Sequence, residues 1–171
     1  MKNQRGFTMI ELLIYVTIFA TMIGGIVGLA VAASAQKTNS QIVTDLNYQG
    51  EATMALVTQT VHRASSITAP AVGNTGNSLT LVMPAAAVNP TVFAAFNDGT
   101  TTRFRVSEGS PAVNNYLTNA HVTVSNLVFS NMSLPSTKGS VMVSFTLTYR
   151  TTSQRQEVQY SKTFTSGVTI Q

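Results

Sequence analysis

RGFTMIELLI, residues 5–14, opens the stretch that decides the fold of this chain. The apolar run that begins at Phe7 continues to about Ala35, and no charged residue lies between Leu12 and Gln36. Its roughly 29 residues would form a helix of about 43 Å, which exceeds the ~30 Å hydrocarbon core of a bilayer. The run therefore predicts a membrane-crossing helix and argues against a purely cytosolic soluble domain.

The charges around this run predict its orientation and single out Glu11. Lys2 and Arg5 precede the run and would hold the N-terminus of a single-pass protein on the cytoplasmic side of the inner membrane. Glu11 lies inside the run, where a carboxylate deep in the bilayer costs on the order of 2.5–3.5 kcal/mol. Such a residue needs an oppositely charged partner, which an isolated anchor does not supply.

Two simple interpretations of the run stay open. A secretory signal peptide would be cleaved after the small residues Ala33-Ser34-Ala35, although the run is about twice the usual core of roughly 7–15 residues. A plain membrane anchor fits the length but leaves Glu11 without a partner. Either interpretation gives the alternative function, a secreted or membrane-anchored β domain that binds a ligand through its sheet.

The segment from Arg5 to Ile14 closely resembles the leader and cleavage motif of type IV prepilins and type II secretion pseudopilins. The resemblance implies a leader at residues 1–6, cleavage between Gly6 and Phe7 by a prepilin peptidase, and N-methylation of Phe7. It also implies that Glu11 meets the positive N-terminus of a neighbouring subunit during filament assembly. An opposite charge would relieve the cost of the buried carboxylate and would set the register of the subunits.

Three glycines mark a weak part of the predicted helix. Many pilins carry a proline where this chain has Gly28, and there the helix loses order on packing into the filament. Gly24, Gly25 and Gly28 each lower helix propensity by about 1 kcal/mol relative to alanine. They indicate helix flexibility, while Gly24, Gly28 and Ala32 also fit a small-residue stripe for close helix packing. Both interpretations stay open.

After about residue 36 the composition turns polar while the spacing of apolar residues stays helical. With no proline before Pro70, one helix from Phe7 to Ser66 is permitted, and a break near residues 38–40 is also possible. Spacings near three and four place one set of residues on a single amphipathic face. The set consists of Ile42, Leu46, Met54, Val57, Val61 and Ala64.

The remainder of the chain has the alternating pattern of β-strands, with turn residues between them. The last two strands are predicted to form a hairpin with its turn around residues 151–155. The amphipathic helix is the element available to cover the apolar face of the sheet. We expect an α+β, pilin-like fold with one antiparallel sheet, and domains at 1–6, 7–35 and 36–171. The predicted strands are Ser78–Met83, Thr101–Val106, His121–Phe129, Ser140–Arg150 and Gln156–Thr165.

Composition limits the chemistry that the chain can perform. Without cysteine there is no disulfide, thiolate metal site or cysteine nucleophile. The net charge is +4, of which two charges lie in the leader, and the other basic residues are scattered. Nucleic-acid binding is therefore not predicted. Arg103 and Arg105 are expected on one face of a strand, opposite Phe104, as a solvated face rather than a ligand patch.

No other motif predicts a catalytic, metal or cofactor site. His62 and His121 have no carboxylate at ligand spacing, and the carboxylates of the domain are isolated in sequence. The segment 97–99, Asn-Asp-Gly, predicts a turn more readily than a calcium site. The segment 131–133, Asn-Met-Ser, fits a glycosylation sequon. We expect no enzyme and no cofactor.

The resemblance implies a structural subunit of a type IV pilus or a type II secretion pseudopilus, and the strand-rich domain favours a minor subunit. Its expected partners are prepilin peptidase, other pilin or pseudopilin subunits, the inner-membrane assembly platform, and membrane lipid before assembly. The expected location is the inner membrane, followed by a cell-surface or periplasmic filament.

Overall fold

The computed structural model describes residues 8–134, 139–150 and 160–171, with the backbone alone at residue 38. The chain divides into two compact units at Ser40 and Gln41. The second unit contains the β-strands and the part of the helix that packs on them. The predicted leader and the hairpin turn near residues 151–155 lie outside the described residues.

Helix α1 spans Met9–Arg63. Its first turn forms where the carbonyl of Thr8 accepts hydrogen bonds from the N–H groups of Glu11 and Leu12, at 3.1 and 3.2 Å. The predicted end at Ser66 is wrong by three residues. The N–H of Ser65 instead donates to the carbonyl of Val82 at 2.7 Å, which takes the chain directly into a strand.

The strands form two antiparallel sheets, not the single sheet that the alternation predicted. The first sheet has the order β1-β3-β4-β5-β6 and the second has the order β2-β7-β8-β9. The strands are β1 Ser66–Ala69, β2 Thr75–Gly76, β3 Ser78–Val82, β4 Thr91–Asn97, β5 Thr102–Glu108, β6 Val113–Tyr116, β7 Val122–Asn131, β8 Ser140–Tyr149 and β9 Ser161–Thr169. A short 3-10 turn, Ala86–Val88, precedes β4.

One hydrophobic core joins the helix to both sheets. Leu46, Val57 and Val61 of α1 are fully buried, as the amphipathic pattern predicted. Met54 is partly buried against the same core. The buried ring of Phe104 on β5 connects the two sheets, because it contacts the rings of second-sheet residues; its centroid lies 6.4 Å from that of Phe129 and 5.3 Å from that of Phe145.

Polar contacts also fix the helix to the domain. The buried side chain of Gln49 donates to Oδ2 of Asp45 at 2.9 Å and accepts from the N–H of Asn119 at 3.0 Å. On the other side, Nζ of Lys162 donates to Oδ1 of Asn47 at 2.8 Å. Neutral and charged groups thus hold α1 against both the 119 loop and strand β9.

The outer face of the second sheet carries pairs of hydroxyl groups. Ser144 and Thr165 lie opposite each other on β8 and β9, with their oxygens 3.1 Å apart. Thr146 and Thr163 form the next pair at 2.8 Å. These hydroxyls satisfy one another across the strands, so this face is polar without being charged.

Candidate membrane and assembly segment

The first half of α1 presents its apolar side chains outward on every side. Each described side chain from residue 8 to residue 37 is exposed. Helix α1 is long and apolar enough to cross a membrane, and none of its most apolar window is buried. Large aliphatic and aromatic residues with no cover in water need lipid or another apolar surface. The segment is therefore suited to a bilayer or to packing against other helices.

Hydroxyl groups within this apolar segment are satisfied by the helix itself. Oγ1 of Thr17 donates to the carbonyl of Ile14, and Oγ1 of Thr21 donates to the carbonyl of Ile18, both at 2.8 Å. Ser34 donates in the same way to Ala30 at 2.9 Å. Because an unpaired polar group in hydrocarbon costs several kcal/mol, this internal pairing makes the segment compatible with lipid.

Glu11 lies in the first turn of α1 and is exposed. Its carboxylate has no ion-pair partner among the residues that the structure describes. The spacing Thr8-x-x-Glu11 is that of a capping box, and a negative charge in the first turn interacts favourably with the helix dipole. Sequence reasoning missed this local role, although the spacing signals it. Gly6 and Phe7, the predicted cleavage and methylation site, lie outside the described residues.

Gly24, Gly25 and Gly28 lie within the helix, where the assignment is uninterrupted. A Cβ built at any of them would meet no atom within 4 Å, so packing inside this chain does not require glycine there. Their effect is therefore on helix propensity or on contacts with another molecule. The predicted flexibility stays a prediction.

The two histidines lie apart in the domain. His62 lines a cleft of about 440 Å³ between α1 and β9, which Glu51, Met54 and Thr165 also line. The Nδ1 atom of His62 is shielded and has no hydrogen-bond partner among the described residues. Within the ranges that the structure describes, no group of three or more His, Asp or Glu side chains is placed to hold a metal ion.

The loop between β4 and β5 forms the predicted turn. Oδ1 of Asp98 accepts hydrogen bonds from the N–H groups of Thr100 and Thr101, both at 2.9 Å. Gly99 takes a positive φ of 88°, which glycine adopts without strain. The hydrogen bond from Thr101 is the main cause that lowers the pKa of Asp98, with further contributions from Thr100 and from the charge of Arg103.

The side chain of Asn131, the first residue of the glycosylation sequon, forms hydrogen bonds within the domain. The Asn131 side chain is buried, and its Nδ2 donates to the carbonyl of Pro70 at 2.7 Å. Its Oδ1 accepts from the N–H of Ser133 at 3.1 Å. The amide nitrogen that would carry a glycan therefore holds the 70–74 loop against β7, and the folded domain offers no acceptor at this position.

Comparison with known proteins identifies the N-terminal segment. Residues 1–33 match the family model described as the prokaryotic N-terminal methylation motif. No curated protein and no solved structure matches the chain. The matched residues contain the predicted leader, Glu11 and most of the exposed apolar segment, and the later part of α1 packs on antiparallel sheets. Over residues 1–33 the chain is therefore similar to proteins that carry the prokaryotic N-terminal methylation motif, and this match supports the resemblance of that segment to type IV pilins and pseudopilins.

Proposed function

We propose that this chain is a structural subunit of a type IV pilus or type II secretion pseudopilus that assembles through the first half of α1. The observation that carries the proposal is the methylation motif joined to a helix whose apolar side chains are all exposed. The segment lies in the inner membrane before assembly, with the N-terminus in the cytoplasm. Within a cell-surface or periplasmic filament, the same side chains pack against neighbouring helices.

The N-terminal amine and Glu11 supply the charge pairing for assembly. The peptidase cuts between Gly6 and Phe7 and the new amine of Phe7 is methylated, which keeps its positive charge. That amine pairs with Glu11 of a neighbouring subunit as the subunit leaves the assembly platform. The exposed carboxylate of Glu11, which has no ion-pair partner among the described residues, supports this step, because a carboxylate surrounded by apolar helices is stabilised by an opposite charge beside it.

The strand-rich domain supports a minor rather than a major subunit of the filament. Gly24, Gly25 and Gly28 allow the helix to adjust as it passes from the bilayer into the filament core. The domain boundaries proposed are 1–6 for the leader, 7–35 for the membrane and core helix, and 36–171 for the amphipathic helix with its β domain.

The first experiment is an intact mass of the chain made in cells with a prepilin peptidase. We expect the mass of residues 7–171 plus one methyl group. A chain that begins at Gln36 would instead show cleavage after Ala35. That result would replace the filament subunit with a secreted ligand-binding domain.

Glu11→Gln tests the pairing step separately from processing. The variant keeps the size of the side chain but loses the charge and exchanges one acceptor oxygen for an NH2 donor. We therefore expect normal processing and membrane insertion with loss of the subunit from sheared filaments. Glu51→Gln is the matched control, since Glu51 is an exposed carboxylate on the same helix outside the apolar segment. Normal incorporation of the Glu11 variant would contradict the pairing step.

A further inference from the structure

Strand β9 forms an open edge of the second sheet. Among the described residues it pairs only with β8, and the register of the two strands is unbroken from Ser140 to Thr148. Strand β9 has nine residues, whereas strands of about five or six are the most common. An open edge presents N–H and C=O groups without partners, and such an edge is a template for pairing with another strand.

The hydrogen bonds at the two ends of β9 show which backbone groups face outward. The N–H of Ile170 donates to the carbonyl of Gly139 at 3.0 Å, and the N–H of Tyr149 donates to the carbonyl of Tyr160 at 2.9 Å. The even-numbered residues therefore bond to β8, and the odd-numbered residues point their N–H and C=O groups away from it. No hydrogen bond joins these outward backbone groups to another residue that the structure describes. The outward residues are Ser161, Thr163, Thr165, Gly167 and Thr169, and all five are exposed.

The centre of this edge is accessible from outside the domain. The cleft of about 440 Å³ beside α1 reaches β9 at Phe164 and Thr165. A Cβ built at Gly167 would meet no atom within 4 Å. A further strand therefore has room to approach the edge at the point where the outward backbone groups are most numerous.

The edge also lacks the features that usually prevent strand addition. Proteins protect long edges with charged residues, proline or a bulge. Strand β9 has no proline and no shift of register, and its one charged residue, Lys162, is held on the inner side by Oδ1 of Asn47. From Thr163 to Thr169 the strand is uncharged. Over this length no charge on β9 repels a second uncharged strand.

We propose that β9 pairs with β9 of a second copy of this chain, antiparallel about a two-fold axis through Thr165. In this register Ser161 faces Thr169 of the other copy and Thr163 faces Gly167, so every outward residue has a partner. The five pairs of residues exchange up to about ten backbone hydrogen bonds. The two four-stranded sheets then continue as one sheet across the axis.

The chemistry of the edge favours a second copy as the occupant. Each threonine hydroxyl both donates and accepts hydrogen bonds, so a row of them is complementary to an identical row. Hydroxyl pairs of this kind already join β8 and β9 at Thr163 and Thr165. The axis through Thr165 is also the one that pairs the full length of the strand, because Thr165 is its central residue. A two-fold contact between identical surfaces is the commonest contact in homo-oligomers.

The pairing sets the relative direction of the two copies. Within the domain α1 and β9 run in the same direction, since Lys162 contacts Asn47 and the N–H of Gln171 donates to the carbonyl of His62 at 3.4 Å. The two-fold axis reverses both elements. The next step rests on the proposed function: subunits of one filament all point the same way, so the pair joins copies from two filaments that run in opposite directions.

Single-cysteine variants test the pair directly, because the chain has no cysteine of its own. The processed full chain is oxidised mildly in nonionic detergent. In Thr165→Cys the two thiols face each other across the axis, with Cα atoms about 5.5 Å apart, which is within the range of a disulfide. We expect a disulfide-linked dimer. Thr169→Cys is the matched control, because the two copies of this exposed residue lie about 27 Å apart in the proposed register and should not link.

Two results of the cysteine experiment would overturn the proposal. Equal linking at the two positions would show that the copies do not share the proposed axis. A disulfide that joins Thr165→Cys to a different protein in cells, and not to a second copy, would assign the edge to another chain. The experiment requires neither processing motif nor filament, so either result leaves the proposed filament function standing.

Charge at residue 165 tests the pair without a covalent link. Thr165→Lys places like charges opposite each other, so we expect the dimer dissociation constant from analytical ultracentrifugation to rise at least about tenfold. Thr165→Glu should have the same effect alone, whereas an equimolar mixture of the two variants should pair again. Thr100→Lys adds the same charge at an exposed turn residue and should leave the constant unchanged.

The wild-type chain and the folded state of each variant complete the test. A wild-type chain that stays monomeric at every concentration would overturn the proposal. A dimer that is indifferent to Thr165→Lys would also overturn it, because contacts of the apolar segment alone would then hold the copies together. Circular dichroism and a thermal melt show whether each variant remains folded, so that a lost dimer is attributable to the edge.

Discussion

Gly50 shows how a single missing side chain sets the packing of α1. The ring of Phe164 lies against the helix backbone at Gly50, and a Cβ there would overlap the ring. The ring has little freedom to move aside, since it stacks on Phe145 with centroids 5.5 Å apart and lies beneath the ammonium group of Lys162. The helix can therefore approach β9 closely only because residue 50 is glycine.

Gly50→Ala is expected to destabilise the domain. Overpacking costs about 1–3 kcal/mol, and the gain in helix propensity returns about 1 kcal/mol, so we expect a net loss of about 1–2 kcal/mol. Chemical denaturation of the full chain in detergent measures it. Gly24→Ala is the control, because a Cβ at Gly24 meets no atom within 4 Å. A Gly50 variant as stable as the control would show that the ring yields without cost.

The protonation state of Asp98 makes the stability of the β4–β5 turn depend on pH. Its pKa is lowered in the folded domain, chiefly by the hydrogen bond from the N–H of Thr101. A carboxyl group whose pKa is lower in the folded state adds stability above its unfolded pKa of about 3.9. That stability is lost as the pH falls through the lower folded value.

Asp98→Asn keeps a side-chain oxygen but removes the charge. We expect the variant to melt below the wild type near neutral pH, and the difference to vanish at the acid end of the series. Thermal melts at a series of pH values measure this difference. A gap between the two proteins that is constant with pH would mean that the charge of Asp98 contributes nothing to the turn.

The two halves of α1 illustrate how much of an element can be predicted from sequence. The apolar run and the later amphipathic face were both clear from residue spacing, since helix packing depends on which residues recur at three and four. The predicted end of the helix, at Ser66, was wrong because residues 63–66 contain no helix-breaking residue that marks the true end at Arg63. The pairing of Ser65 with Val82 ends the helix there, and no local pattern encodes such a distant partner.

Strands were predicted where alternation is strong and missed where it is weak. Strands β3, β5, β7 and β8 lie close to their predicted positions. Strand β4 was missed because its residues Thr91–Asn97 carry two adjacent alanines and only partial alternation. The division into two sheets was also missed, since strand order depends on long-range pairing. The leader and the role of Glu11 stay predictions from the motif, whereas the contacts of Arg103 with the Tyr116 ring and of Arg105 with the Phe96 ring required the fold.

Leu46→Ala tests how strongly the second half of α1 is held. Leu46 is fully buried, so its truncation should cost about 2–5 kcal/mol through lost burial and a residual cavity. Leu56→Ala is the matched control on the same helix, because Leu56 is 37% exposed. Denaturant unfolding should separate the two variants clearly. Similar losses would mean that burial at Leu46 does not hold the helix.

At the scale of the whole molecule, the first half of α1 contributes no buried side chain between residues 8 and 37. A chain that begins at Lys37 should therefore dissolve without detergent and unfold with the same thermal midpoint as the full chain. Leu46→Ala in the shorter chain should lower that midpoint, which confirms that the transition reports the core. A shorter chain that aggregates or melts without cooperativity would contradict this division of roles.

The hydroxyl pairs on the second sheet affect how the proposed filaments of this chain would associate side by side. Ser144, Thr146, Thr163 and Thr165 keep the face hydrated without adding charge. Only 9% of the residues are charged, and the net charge of +4 includes two charges in the predicted leader. In the proposed filament, such subunits would accumulate little charge per unit length, so mutual repulsion between adjacent filaments would be small. Bundling should then respond weakly to ionic strength and chiefly to how well the hydroxyl-covered faces fit together.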